Sequence, residues 1–443
     1  MSFGKNISTL KLPHHKQTSG MASEPITPSA EVLLPMNMHS GQAAVPVVEV
    51  GQHVYRGQLI AREEGKNSSP VHASVSGTVK AIEPYGRTQA IRIESDGRME
   101  ADPELKAPDV HDLDSFLQAV RESAIVGLGG AAFPVWAKLD AVRRNKIKTV
   151  LINGAECEPY ITSDDRTMVE HSELIKQGVA LLKQYLGSEE FIIGIEKNKP
   201  AAIAELERTF ADEPAVTVKP LKSVYPQGAK QVLLYNATGK VVGPGQRLAS
   251  LGVIIINVTS LTKVAQYMND GMPLVEKTVT VDGSAVAKPK NVIVPIGMKL
   301  ADVFEQSGGF CAEPKKVLYG GPMMGIAVPD LEQPVLKNTN AVLAMSEADA
   351  VLPEPSACIR CGRCIRHCPL RLMPSHIVAA YEAGNMERLA ELKVNLCMEC
   401  GCCSFGCPAH RPLVQTNKLA KAKLAAWRKA QSEKLDATKE AVK

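Results

Sequence analysis

Residues 358–369 read CIRCGRCIRHCP, and residues 397–408 read CMECGCCSFGCP. Both runs have the spacing C-x2-C-x2-C-x3-C-P, and every ligand position recurs after 39 residues, so the pair is an internal repeat. Soft thiolate donors at this spacing hold iron–sulfur cubanes. Three cysteines of a run wrap one cluster, and the fourth, before proline, reaches across to the other. Cys358, Cys361, Cys364 and Cys407 are thereby assigned to one [4Fe–4S] cluster, and Cys397, Cys400, Cys403 and Cys368 to a second. Zinc knuckles use four ligands in two C-x2-C pairs, a pattern that these eight cysteines fit poorly. Cys402 is out of register and reads as a small packing residue. The stretch between the runs, SHIVAAYEAGNMERLAEL (375–392), reads as two short helices.

The remaining cysteines, Cys157 and Cys311, are isolated, for eleven in all. An odd count clustered in one segment, with no apolar leader, argues for metal ligation in a reducing compartment rather than for disulfides. The chain has 443 residues, enough for about three domains at roughly 150 residues each. Its 45% hydrophobic and 22% charged residues exclude a disordered chain or a bare coiled coil. A net charge of +4 and 4% aromatics give no argument for a nucleic-acid partner. A membrane-spanning helix needs about 20 apolar residues. The best apolar run, Val253 to Ile256, is a strand-sized segment.

Working outward from the repeat, residues 1–40 read as an irregular lead-in rich in His, Pro, Ser and Met. Residues 41–100 carry short apolar runs punctuated by Gly51, Gly57 and Gly77 and resemble a barrel-sandwich, lipoyl-like domain. Lys66 and Lys80 lie in no attachment motif, so a barrel without a covalent cofactor is expected. A Pro- and Asp-rich boundary follows at 101–114. Residues 115–270 then alternate strands TVLING (149–154), FIIGIE (191–196) and VTVKPL (216–221) with helical patterns, which predicts a Rossmann-like parallel α/β domain. Residues 271–350 return to β and resemble an SLBB-type β-grasp module. Residues 351–416 form the di-cluster, ferredoxin-like helical domain, and 417–443 a basic helical tail with eight Lys or Arg against three Asp or Glu. The fold class is multidomain α/β.

Two motifs sit at strand–helix junctions of the α/β region. GLGGAAFPVWAKL (127–139) offers Gly127, Gly129 and Gly130, whose bare backbone can approach a phosphate or a flat ring, and Lys138, a charge for a phosphate or ring oxygen. NGAECEPYITSDDR (153–166) follows the strand TVLI. It places Asn153, Glu156 and Glu158 at the carboxyl end of a parallel strand, where ligands bind in such sheets. Taken singly, the first is no more than a glycine turn and the second a solvated acidic loop.

Together they resemble the flavin- and NADH-binding segments of the NADH-oxidising flavoprotein subunit of respiratory complex I, GxGGAGFPxxxKW and NADExEPG. With PVHASVSGTV (70–79), YPQGAKQ (225–231), YGGPMMG (319–325) and the paired cluster motifs, the chain resembles the family of C subunits of the Rnf complex, membrane-bound ion-translocating ferredoxin:NAD oxidoreductases. That resemblance implies FMN held by Gly127, Gly129, Gly130, Lys138, Asn153 and Glu156, with Phe133 and Glu158 facing NAD(H). It also implies integral membrane and ferredoxin-like partner subunits and a peripheral place on the cytoplasmic face of the cell membrane. Two positions depart from the motif: Ala132 replaces its second glycine, and Ala155 an acidic residue. The alternatives are a soluble flavin and iron–sulfur reductase similar to cobalamin reductases, and a wiring subunit that kept the clusters but lost flavin.

Overall fold

The computed structural model describes residues 7–441, without side chains from 434 onward. The chain divides into two compact units: one of residues 13–223 and 233–350, the other of 1–12, 224–232 and 351–443.

The larger unit is built on three sheet systems. Its N-terminal barrel has a four-stranded sheet ordered Glu31–Pro35, Thr88–Ser95, Gly77–Tyr85, His53–Val54, and a three-stranded one from Val45–Pro46, Leu59–Arg62 and Val71–His72. The 31–40 stretch is therefore not all irregular lead-in. Glu31–Pro35 is a strand paired antiparallel along Thr88–Ser95, and Glu24–Pro25 pairs with Lys290–Pro295 in another sheet. EVLLP lacks period-two alternation because four of its five residues are buried. Lys80, one of the two barrel lysines considered above, pairs with Glu31.

The central sheet is parallel throughout, ordered Val216–Leu221, Glu190–Glu196, Thr149–Gly154, Val253–Asn257. Its apolar runs are the ones expected from sequence, and helices Ser172–Leu186 and Val258–Asp270 pack against each other beside it. The chain leaves Thr149–Gly154 toward one side first and returns to its other side as Val253–Asn257. The strand order therefore reverses between these two strands, the point at which open α/β sheets bind ligands. The third sheet is mixed and six-stranded: Glu24–Pro25, Lys290–Pro295, Glu276–Asp282, Ala341–Met345, Lys316–Tyr319, Ile326–Ala327. Helix Leu300–Gln306 packs its buried Leu300, Val303 and Phe304 into this module's own core of Val279, Val281, Val292 and Val294.

The smaller unit is helical. Helices Pro374–Glu382 and Met386–Glu391, the two expected between the cysteine runs, pack on the long helix Leu413–Ala441 around Ile377, Leu389, Val394, Ala420 and Leu424. The basic tail is the continuation of that helix, which starts at Leu413 rather than at 417.

Candidate functional site

The candidate site begins with a glycine-rich loop that closes on itself. Gly127 N–H donates to the Phe133 carbonyl (2.9 Å), and Ala132 N–H to the Gly127 carbonyl (3.1 Å). This brings Gly127, Gly129, Gly130 and Phe133 together. Lys138 follows on the short helix Val135–Leu139. The loop is anchored to the start of helix Val258–Asp270: Leu128 N–H donates to Ser260 Oγ (2.9 Å), which donates to the Val126 carbonyl (3.0 Å). Gly129 and Gly130 are exposed, and Gly130 has φ +103 with open space where a Cβ would stand. A Cβ on Gly129 would come within 3.1 Å of Asn257 Nδ2. Ala132 adopts φ +50, a left-handed conformation that glycine takes without strain.

Asn257 lies beside Asn153 in strand register at the carboxyl edge of the sheet. Asn257 Oδ1 caps its helix by accepting from Ser260 N–H, and its Nδ2 donates to Asp164 (2.8 Å). Asn153 Oδ1 accepts from Ala155 N–H (3.2 Å). The bare glycine backbone beside the Asn257 amide at the strand reversal fits a flat ring with a phosphate tail. Asn257, Ser260 and Asp164 were missed from sequence. The signal was NVTS directly after the apolar strand, an Asn with Ser three residues on.

The loop that follows Asn153 is knit by buried charge. Glu156 does not turn its carboxylate toward the glycine loop. It accepts from the N–H groups of Asp164 (2.6 Å) and Asp165 (3.3 Å) at the start of helix Ser163–Glu170. Any part Glu156 has in holding a flavin thus runs through the loop's shape. Glu158 Oε2 accepts from Met323 N–H (3.0 Å) and lies where a Cβ on Gly321 would stand, so this side chain reaches the GGPMMG turn of the β-grasp module. Beneath the loop, Lys199 donates to the Ala155 carbonyl (2.8 Å) and pairs with buried Glu196 (3.4 Å). Lys16 donates to the carbonyls of Glu156 (2.9 Å), Glu158 (2.8 Å) and Ile161. Burial lowers the Lys16 pKa, with Lys199 adding to it, and burial raises that of Glu156.

In the smaller unit the two cysteine runs repeat in backbone conformation as well as in sequence. Arg360, Gly362 and Arg371 have φ +55, +71 and +54, and their counterparts Glu399, Gly401 and His410 have +62, +77 and +50. The N–H of Cys368 donates to the Ile365 carbonyl, and that of Cys407 to the Ser404 carbonyl. Cys368, Cys397, Cys400 and Cys403 lie close enough that the others help push the Cys403 thiol up to about 12, behind the larger effect of burial. Burial, with Cys400 and Cys397, pushes Cys368 up to about 11. Such a group of sulfurs fits iron, which takes the thiolates that the bare protein disfavours. Cys364 and Cys407 pack in one apolar cluster with Val378 and Leu413. Cys358 and Cys361, by contrast, are exposed on a segment without regular structure. Cys402 is fully buried. Among the described residues no three His, Cys, Asp or Glu side chains are already arranged to hold a metal ion.

Four family models match the chain in order: an RnfC barrel sandwich hybrid domain (7–98), a Nuo51 FMN-binding domain (120–266), an SLBB domain (278–327) and a 4Fe-4S dicluster domain (350–408). Among curated proteins, the chain is 38% identical over 363 residues to the C subunit of the Na+-translocating ferredoxin:NAD+ oxidoreductase complex of Acetobacterium woodii, covering 80% of this chain and 82% of that one. It is also 38% identical to the C subunit of the proton-translocating complex of Clostridium ljungdahlii, covering 78% and 77%. The C subunit of the ion-translocating oxidoreductase complex of Rhodobacter capsulatus is 36% identical over 422 residues, covering 93% and 81%. Among solved structures, a chain of the NAD+-reducing [NiFe]-hydrogenase in the H2-reduced state aligns with TM-score 0.50 at 19% identity, covering 71% of this chain and 63% of that one, a likeness of fold.

Proposed function

Because the chain belongs to the RnfC family, the C subunits of ion-translocating ferredoxin:NAD+ oxidoreductase complexes, we propose that it exchanges electrons between NAD(H) and two [4Fe–4S] clusters by way of FMN. The chain is an electron-transfer, NAD-linked oxidoreductase subunit of such a complex, with an FMN-binding domain and a 4Fe-4S dicluster domain. FMN, when bound, supplies the passage between two-electron hydride chemistry and single electrons, which clusters then conduct. Gly127, Gly129, Gly130 and Asn153, with Asn257, would hold the flavin, and Lys138 would meet its phosphate or a ring oxygen. Phe133 and Glu158 would face the dinucleotide, with Glu156 fixing the loop between them. Cys358, Cys361, Cys364 and Cys407 would ligate one cluster, and Cys397, Cys400, Cys403 and Cys368 the other.

The observation that carries this reading is the glycine loop lying against Asn257, itself in register with Asn153, at the strand reversal. None of the described helices is long and apolar enough to cross a membrane. In this reading integral membrane and ferredoxin-like partner subunits hold the chain at the cytoplasmic face. The domain limits inferred from sequence serve as its working boundaries, with the barrel extended back to Glu31 and the tail helix to Leu413. The test is anaerobic purification, assay of flavin, iron and sulfide together, then addition of NADH. About one FMN and about eight iron per chain, with flavin bleaching on NADH, is the expected result. Iron at that level without flavin, and no response to NADH, would leave a wiring subunit. The Ala132 methyl group on the glycine loop is what favours that second reading.

A further inference from the structure

The loop from Gly154 to Thr162 is held in a conformation its own sequence does not favour. Glu156 has φ +47 and Tyr160 φ +72, the left-handed region that side chains with a Cβ rarely adopt. Residues in that region are strained and persist only where the surroundings over-determine them. The surroundings here come from a segment far away in sequence, Pro13 to Ser19. Lys16 donates to three carbonyls of the loop, those of Glu156, Glu158 and Ile161. His15 stacks on Tyr160, with ring centroids 4.6 Å apart, and Tyr160 N–H donates to the His14 carbonyl (3.0 Å). Thr18 and Thr162 share a hydroxyl contact at 2.6 Å. The far side of the strap is fixed too. Asn291 donates to the Thr18 carbonyl (3.1 Å), Gln17 to Asp282 (2.7 Å), and Arg166 to the Ser19 carbonyl (2.9 Å).

We infer that Lys16 is a positioning residue for dinucleotide turnover. Its ammonium gathers the backbone carbonyls of Glu156, Glu158 and Ile161 and so fixes the loop from which those two side chains project. An ammonium has three donors and no acceptor, which matches three converging carbonyls. Hydrogen bonds to a charged group are stronger than those between neutral ones. Loss of even one is expected to leave no more than about a tenth of molecules with the loop competent, and Lys16→Met removes all three, so apparent affinity falls at least by that fraction. The inference rests on the proposed site, and its test separates the two.

In the full chain, Lys16→Met is compared with the parent and with Lys80→Met, which removes an exposed pair on the barrel. The readouts are FMN and iron content, KM and kcat for NADH with an artificial acceptor, and hydrogen exchange of amides across the chain. Expected for Lys16→Met are unchanged flavin and iron, kcat within about twofold, KM for NADH raised at least about tenfold, and faster exchange confined to the 154–162 loop. Unchanged KM and exchange would overturn the inference. So would a loss of protection spread over the whole domain, which would make Lys16 a general stability residue. If the parent itself fails to oxidise NADH, the proposed function falls. The exchange pattern still decides whether Lys16 sets the loop.

Discussion

Ala132 stands where the related flavoprotein motif has glycine, and it takes φ +50. A left-handed alanine costs about 1–2 kcal/mol, whereas a glycine there adds about 0.5–1 kcal/mol of unfolded-state entropy. Ala132→Gly is therefore expected to stabilise the protein by about 0.5 kcal/mol and to remove a methyl group from the glycine loop. Thermal midpoint and bound flavin after gel filtration check this. A fall in midpoint would mean that the methyl contact with the core outweighs the strain. Residue identity made the paired cysteine runs and the glycine loop stand out, because thiolate spacing and bare backbone are chemical requirements. The same reading had no way to find Lys16. A lysine in a polar lead-in reads as solvated, and its three acceptors lie about 140 residues downstream. Glu158 was placed near the dinucleotide from motif alone. Its bond to Met323, 165 residues on, is tertiary information.

At the scale of elements, the two halves of the cysteine repeat share their turns but not their surroundings. Cys397, Cys400 and Cys403 are buried or half-buried, and the Cys397 sulfur accepts from Asn417 (3.9 Å). Lys421 donates to the Cys397 carbonyl, and the Tyr225 hydroxyl to that of Cys400 (2.7 Å). The partner run begins on an exposed coil, with Ile359 66% exposed between Cys358 and Cys361. Solvent access and hydrogen bonds to sulfur govern both potential and reactivity of such clusters. Iron release under a chelator or air is thus expected in two phases, about four iron leaving fast and about four slowly. A single phase would mean that the two sites are equally guarded. Strands Thr149–Gly154, Glu190–Glu196 and Val253–Asn257 were readable because each carries an apolar run between helical patterns, whereas the edge strand Val216–Leu221, VTVKPL, is mixed and buries only Leu221. Glu24–Pro25 was not, since a two-residue strand ending in proline carries no period.

The molecule as a whole hides an unusual number of amines. Lys277 and Lys337 are 1% exposed. Lys337 joins three regions of the larger unit, donating to the Pro70 (2.6 Å) and Ala124 (3.0 Å) carbonyls from beyond the β-grasp strands, and Lys277 donates to the Lys337 carbonyl. Burial lowers each to about 7 from 10.5, and Asp164 partly offsets this for Lys277. Burial, with Lys337 nearby, lowers His39 to about 4 and His72 to about 3. A base whose folded pKa is depressed leaves the unfolded chain holding more protons between the two values, so stability rises with pH across that window. For the lysines the window runs from about 7 to 10.5. For the histidines stability is lost as pH falls below 6.5. The urea midpoint is expected to climb between about pH 8 and about pH 10, and less steeply in Lys337→Met. An equal slope in the variant would show that the amine stays charged in the fold. None of this is visible in a net charge of +4.

The pairing of Leu10 with Tyr225, and of Tyr225 with Cys400, has a consequence for how the chain is made. Translation proceeds at about 5–20 residues per second, so the first of these residues waits on the order of ten seconds for its partner and longer still for the cysteine turn beyond it. The opening segment leaves the ribosome first and is seated among the last. Until Cys400 has been made, the Tyr225 hydroxyl lacks the carbonyl it donates to, so this join closes late in synthesis.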